Sequence, residues 1–265
     1  MKDYVIELAK PVENKMRRLN IVREYLQIYA LRTLHERGYF NNLAFVGGTC
    51  LRFTHNLTRF SEDLDFSLTM QEGYDFETIL NEIEKDFLKA NYTIKIKHKT
   101  EKTVHTAFLK VSGLLYEVDL SNRVDQNLTI KLDIDTNPPQ GAKIERTLVN
   151  KYFPISLCHY ELPSLFAGKL HAILTRPYVK GRDYFDLVWI LSKWRDINPN
   201  IELLKNALKQ TGSKIDVTLQ NWKGKVWDHV KDVKWDNIRS DVEKFAEYPE
   251  FITSIEPKNI KSLLE

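Results

Sequence analysis

An α+β fold is what this 265-residue sequence predicts: a mixed sheet with flanking helices, followed by a mainly helical C-terminal lobe. Three observations predict it. Runs with the two-residue period of strands dominate from about residue 92 to residue 135, and runs with helical spacing dominate past about Pro154. Between them and the N-terminus, the short apolar run Leu43-Ala44-Phe45-Val46 passes through Gly47-Gly48-Thr49 directly into a helical stretch, giving strand, glycine turn, helix.

Residues 1 to about 40 mix polar and apolar side chains at helical spacing, interrupted at Pro11. Over 20–37, Ile21, Leu26, Ile28, Tyr29 and Leu34 fall as on a packed helix, which Gly38 ends. After the glycine turn a helix is expected over 50–55. Asp63-Leu64-Asp65-Phe66-Ser67-Leu68 then alternates polar with apolar, setting Asp63, Asp65 and Ser67 on one face of a half-buried strand. A helix over 76–90 follows, and then strands over 92–99, 103–111, 116–120 and 128–135 in a mixed or antiparallel sheet. Asn137-Pro138-Pro139-Gln140-Gly141 is the clearest turn cluster. Helices are expected over 161–175, 181–194 and 201–209, with further helical turns to the end. Length alone allows one large domain or two modest ones, and the change of period places a lobe boundary near 155, dividing 1–155 from 156–265.

Composition constrains function mainly by exclusion. The 43% apolar and 28% charged content is that of a globular protein, neither disordered nor collagenous. With 39 basic and 36 acidic residues the formal charge is only +3, so any contact with nucleic acid must be local. Cys50 and Cys158 are far apart and lack zinc-ligand spacing, which argues against a zinc site or a disulfide framework and fits a reducing compartment. The opening MKDYVIELAK is wrong for a secretory signal, and no stretch approaches the ~20 apolar residues of a membrane span, so a cytoplasmic protein without a membrane segment is expected. Walker, GxGxxG, HExxH and Gly-x-Ser-x-Gly patterns are absent, and the seven histidines lack ligand spacing.

Alternate residues of a strand are separated by about 6.5 to 7 Å along one face, so Asp63 and Asp65 present two carboxylates to a common ligand. Magnesium takes octahedral oxygen ligands, usually one or two carboxylates with phosphates and water. A glycine pair at a helix N-terminus exposes backbone N–H groups suited to phosphate. Either feature alone is weak, as a strand acid pair or a tight turn. Their order and proximity in the chain bring a phosphate cradle beside a metal site.

Phe45-Val46-Gly47-Gly48-Thr49-Cys50-Leu51-Arg52, followed by Arg59-Phe60-Ser61-Glu62-Asp63-Leu64-Asp65-Phe66, resembles the signature of the AbiEii-type nucleotidyltransferase toxins, members of the DNA polymerase β-like superfamily from abortive-infection toxin–antitoxin systems. Leu165-Phe166-Ala167-Gly168-Lys169-Leu170-His171-Ala172, Arg176 and Gly181-Arg182-Asp183-Tyr184-Phe185-Asp186-Leu187 resemble that family's downstream pattern. The resemblance implies that Gly47, Gly48 and Thr49 meet a nucleoside triphosphate and that Asp63 and Asp65 hold Mg2+. It also implies that Lys169 in the helical lobe neutralises phosphate charge, and that Asp183, or Asp186 three residues on, completes the site. Asp133 in Leu132-Asp133-Ile134 fits the family's third carboxylate, so that two Mg2+ ions are held during turnover; Glu117 and Asp119 form a competing pair.

Arg52 and Arg59 flank the nucleotide site in sequence, where a guanidinium either clamps phosphate or pairs with a structural acid. His171 reads as a helix-face residue rather than a base. Lys95, Lys97 and Lys99 leave one strand face while Ile94 and Ile96 point inward, with Lys102 following, a pattern that either tracks an RNA backbone or protects an edge strand. The resemblance implies transfer of a nucleoside monophosphate to RNA, with tRNA the leading acceptor, and a cognate antitoxin protein as partner in antiviral defence. Phosphoryl transfer to a protein or RNA, and a non-catalytic nucleotide- or RNA-binding module, are the alternatives.

Overall fold

A computed structural model describes every residue, Met1–Glu265. The chain divides into two compact units: Met1–His55, Phe60–Pro138 and Arg146–His159 form the first, and Asn56–Arg59, Pro139–Glu145 and Tyr160–Glu265 form the second.

The first unit opens with helices α1 (Lys2–Ala9) and α2 (Lys15–Glu36), separated at Pro11 as its missing N–H requires. The Asn14 side chain caps α2 by accepting the Arg17 N–H at 2.9 Å, which starts the helix five residues before its apolar stripe becomes readable. Then come β1 (Leu43–Val46), α3 (Gly47–His55), β2 (Asp63–Leu68), α4 (Phe76–Lys89), β3 (Thr93–Lys99), β4 (Val104–Ser112), the single turn α5 (Leu114–Glu117), β5 (Asn127–Asp135), β6 (Ile144–Asn150) and β7 (Pro154–Tyr160). The strands form one mixed sheet in the order β3-β4-β5-β2-β1-β7-β6. β1 runs antiparallel to β2 and parallel to β7, β2 runs parallel to β5, and β4 runs antiparallel to both its neighbours, β3 and β5.

On one face of β3, β4 and β5, Ile94, Ala107, Leu109, Val111, Leu128, Ile130, Leu132 and Ile134 are buried. Helix α4 packs on β3, and α2 packs on α4 and β5. Asp75 caps α4 at the Thr78 N–H, and Phe76, Ile79, Leu80, Ile83 and Phe87 form its buried stripe. At the sheet centre Phe45 and Phe66 pack with ring centroids 5.2 Å apart, each fully buried ring contributing about 1.5–3 kcal/mol by leaving water. This fixes β1 against β2, and with them the glycine turn against the acid strand.

Two expectations for this region fail. Residues 116–120 are not a strand: Gly113, at φ 80°, turns the chain out of β4, and α5 forms. Leu114, Leu115 and Val118 bury at one-turn spacing while Tyr116 is exposed, so the helical period prevails over the apparent alternation. The second concerns the stretch before the helices, where no strand is expected: β6 and β7 occupy it, while the helix expected from residue 161 starts at Leu162. Neither strand shows a clean alternation: β6 is mostly exposed, and in β7 Leu157, Cys158, His159 and Tyr160 are all buried.

The second unit is helical: α6 (Leu162–Thr175), α7 (Gly181–Lys193), α8 (Ile201–Gln210), α9 (Trp222–Val230), α10 (Trp235–Glu243) and α11 (Pro257–Leu264). Phe166 of α6 packs edge-on against Trp222, and Tyr184 and Phe185 of α7 meet Trp235 and Phe251. A Cβ at Gly181 would lie 2.5 Å from the Ile238 carbonyl oxygen, so the approach of α10 to α7 requires glycine there. No helix is long and apolar enough to cross a membrane.

Candidate active site

Gly47 begins α3 at φ 80°, a backbone conformation that favours glycine. Val46, the residue before it, lies directly opposite Asp65 in the β1–β2 ladder. The Asp65 carboxylate consequently rests against the turn: a Cβ on Gly47 would stand 2.5 Å from Asp65 Oδ2. The Thr49 hydroxyl donates to the Asp63 carbonyl, tying the first turn of α3 to the start of β2. Gly48 and Thr49 are buried, so what this turn can offer an anion lies in its backbone, since the first N–H groups of a helix have no intrahelical acceptor.

Asp133 joins this pair through the parallel β2–β5 ladder, where Asp63 lies beside Lys131, Asp65 beside Asp133 and Ser67 beside Asp135. Neighbouring strands are about 4.8 Å apart and paired residues share a face, so Asp63, Asp65 and Asp133 present their carboxylates together. Thr106 donates to Asp133 Oδ1 at 2.7 Å, and Lys131 pairs with Oδ2. Burial opposes the Lys131 charge, but Asp133, Asp63 and Asp65 outweigh it and hold the ammonium above its ordinary pKa. Three all-oxygen donors converging on one face, beside a single lysine, suit a hard divalent cation. Glu117 and Asp119 are not on the sheet: Glu117 pairs with Lys2 at 2.7 Å, and Asp119 sits in a left-handed turn at φ 55°.

Arg52, on α3, is buried with Glu24 of α2 as its ion-pair partner and lies over the Phe60 ring at 4.1 Å. Glu24 also takes Lys151 at 2.6 Å. Arg52 thus braces α3 against α2.

In the second unit, Lys169 of α6 lies 2.8 Å from Asp186 and 3.3 Å from Asp183, both on α7. Arg59 grips Asp186 with two prongs at 2.7 and 2.6 Å, and Asp183 also accepts from Arg176. Asp186 is fully buried and Asp183 nearly so. Burial disfavours the Asp186 charge, but Arg59 and Lys169 hold its carboxyl below the ordinary value. Burial likewise pulls Lys169 down, and Asp186 with Asp183 outweigh it, leaving the ammonium above its ordinary value. His171 meets Thr211 at 3.0 Å. Sequence reading had singled out Lys169 with Asp183 or Asp186, and the two acids have different surroundings: Asp186 fills the centre of the cluster and Asp183 its Arg176 side. Thr106 escapes sequence reading, and Arg176 reads only as part of the family's downstream pattern, because only strand register and helix packing reveal what each touches.

Two solved structures share this fold. An H. pylori protein assigned as a nucleotidyltransferase is 17% identical at a TM-score of 0.55, with 91% of this chain and 92% of that one covered. JHP933 from Helicobacter pylori is 17% identical at a TM-score of 0.52, with 92% and 94% covered. No curated protein matches the sequence significantly. The family model described as "Nucleotidyl transferase AbiEii toxin, Type IV TA system" matches residues 29–256, from within α2 to the residue before α11. With the glycine turn, the acid strand and the Lys169 helix all inside that match, this chain belongs to the AbiEii family of nucleotidyltransferase toxins.

Proposed function

We propose that this nucleotidyltransferase moves a nucleoside monophosphate from an NTP to an RNA hydroxyl, with tRNA as the leading acceptor, using Mg2+ held by Asp63, Asp65 and Asp133. The observation that carries the reading is the Asp65 carboxylate resting against the Gly47 turn, with Asp63 and Asp133 on the same sheet face. Mg2+ bound there supplies charge neutralisation for the phosphates.

This chain's residues supply positioning. The backbone of Gly47, Gly48 and Thr49 holds the triphosphate, and Thr49 keeps that turn fixed to β2 through the Asp63 carbonyl. The acceptor oxygen attacks the α-phosphorus, the bond from that phosphorus to the bridging oxygen breaks, and pyrophosphate leaves with the electron pair. The acceptor proton passes to Asp133, whose carboxylate Thr106 orients. Lys169 neutralises phosphate charge in this reading, with Asp183 beside it and Arg59 and Asp186 holding the lysine in place. Arg52 contributes by bracing α3 through Glu24. Catalysis by positioning and electrostatics needs no nucleophilic triad. The toxin acts in the cytoplasm, where a cognate antitoxin restrains it.

The test is incubation of purified protein with total tRNA and each NTP, labelled separately at the α and γ positions, with and without Mg2+. The reading requires α label on RNA and release of pyrophosphate, dependent on Mg2+. Retention of γ label on RNA or on a protein would establish phosphoryl transfer instead.

A further inference from the structure

The geometry points to the open face of β3, β4 and β5 as the track for the single-stranded end of the RNA acceptor, with Phe108 as a base-stacking platform and five lysines along the phosphates. This inference rests on the proposed transfer to RNA and adds where the RNA lies.

In the β3–β4–β5 ladders Lys95 stands opposite Lys110, Lys97 opposite Phe108 and Lys99 opposite Thr106, while Phe108 faces Lys131 and Thr106 faces Asp133. Directly paired residues share a face. The hydrogen bond from Thr106 to Asp133 shows that this is the face that carries the metal-binding acids. The opposite face is the apolar one under α2 and α4.

Lys95, Lys97 and Lys99 are exposed, as are Thr93, Asn127 and Thr129, while Phe108, Lys110 and Lys131 are half-buried. The face is therefore polar and cationic around one accessible aromatic ring. From β3 to β2 is three inter-strand steps of about 4.8 Å, roughly 14 Å, the span of a few nucleotides.

Lysines on an exposed edge strand also deter mispairing. That accounts for β3 but not for Lys110, on an interior strand and directly opposite Lys95. Like charges so placed repel, and a phosphate between them removes the penalty. A single strand suits the pattern better than a duplex, because its bases are free to stack on a sheet-face aromatic. An acidic protein would match the lysines but has no use for a lone ring among them.

The test is binding of a 5′-fluorescein-labelled single-stranded 12-mer RNA, without NTP, followed by anisotropy between 50 and 200 mM salt. Lys95→Gln/Lys97→Gln is expected to lower the slope of log affinity against log salt by about 1.4. Phe108→Leu is expected to weaken binding at least about fivefold with little change in that slope. Lys205→Gln/Lys209→Gln, exposed lysines of α8, serves as the control and is expected to leave both unchanged. Wild-type affinity and slope in the face variants would overturn the inference. So would loss of binding to a purified antitoxin with RNA binding intact, or equal affinity for a fully duplexed RNA that is insensitive to Phe108→Leu.

The two proposals fail separately. If α label reaches RNA with an unchanged acceptor KM in Lys95→Gln/Lys97→Gln, the track is wrong and the transfer stands. If RNA binding depends on the face while no NTP yields labelled product, the transfer is wrong and the track stands.

Discussion

Gly47→Ala tests the turn geometry through two separable costs. The residue sits at φ 80°, where a non-glycine residue loses about 1–2 kcal/mol. The added Cβ would also stand 2.5 Å from Asp65 Oδ2, so the carboxylate must leave its rotamer at about 0.5–1.5 kcal/mol. Together these give a loss of about 1.5–3.5 kcal/mol, read by urea denaturation. In an Asp65→Ala background the second cost disappears, and Gly47→Ala should then cost only about 1–2 kcal/mol. The double-mutant cycle is therefore expected to show coupling of about 0.5–1.5 kcal/mol. Because the displaced carboxylate is a proposed metal ligand, Gly47→Ala should also weaken Mn2+ binding, followed by EPR. Strict additivity with unchanged Mn2+ affinity would refute the placement of Asp65 against the turn.

Other perturbations separate chemistry from support. Asp65→Asn should lower nucleotide transfer at least ~10²-fold with an unchanged unfolding midpoint, since the side chain keeps its shape and loses only its charge. Asp186→Asn should instead destabilise the fold by about 3–5 kcal/mol in urea, because it removes the buried negative charge that Arg59 and Lys169 share. Lys169→Met leaves Arg59 with Asp186 and Arg176 with Asp183, so transfer should fall while stability changes by much less than in Asp186→Asn. The Asp186 pKa is depressed on folding, so its contribution is present above the unfolded carboxylate pKa of about 3.9 and is lost as pH falls through the lower folded value. The stability difference between wild type and Asp186→Asn should accordingly narrow in strong acid.

The sequence exposed the parts of this fold whose signals are local. Strand β1, the Gly47 turn and β2 are legible because an apolar run, a glycine pair and an alternating acid strand each carry their own period. Asp133 was legible as a strand acid, but only the β2–β5 register sets it beside Asp65. The alternation of Lys95, Lys97 and Lys99 showed that they share a face, and pairing through β4 was needed to show which face. Arg52 and Arg59 illustrate the limit most directly: in sequence each reads equally as a phosphate clamp or a structural ion pair, and only the packing reveals their acidic partners, Glu24 of α2 and Asp186 of α7, many residues away. The strand β7 was hidden for a different reason, since a strand buried on both faces has no alternation to read.

The central claim is that Asp63 and Asp65 hold the metal of a triphosphate that the Gly47–Thr49 turn also meets. Mn2+ ENDOR with a non-hydrolysable NTP tests it most directly. The wild type is expected to show 31P coupling from bound triphosphate, and Asp63→Asn and Asp65→Asn to lose it together with tight Mn2+ binding. Undiminished coupling and affinity in those two variants would contradict it.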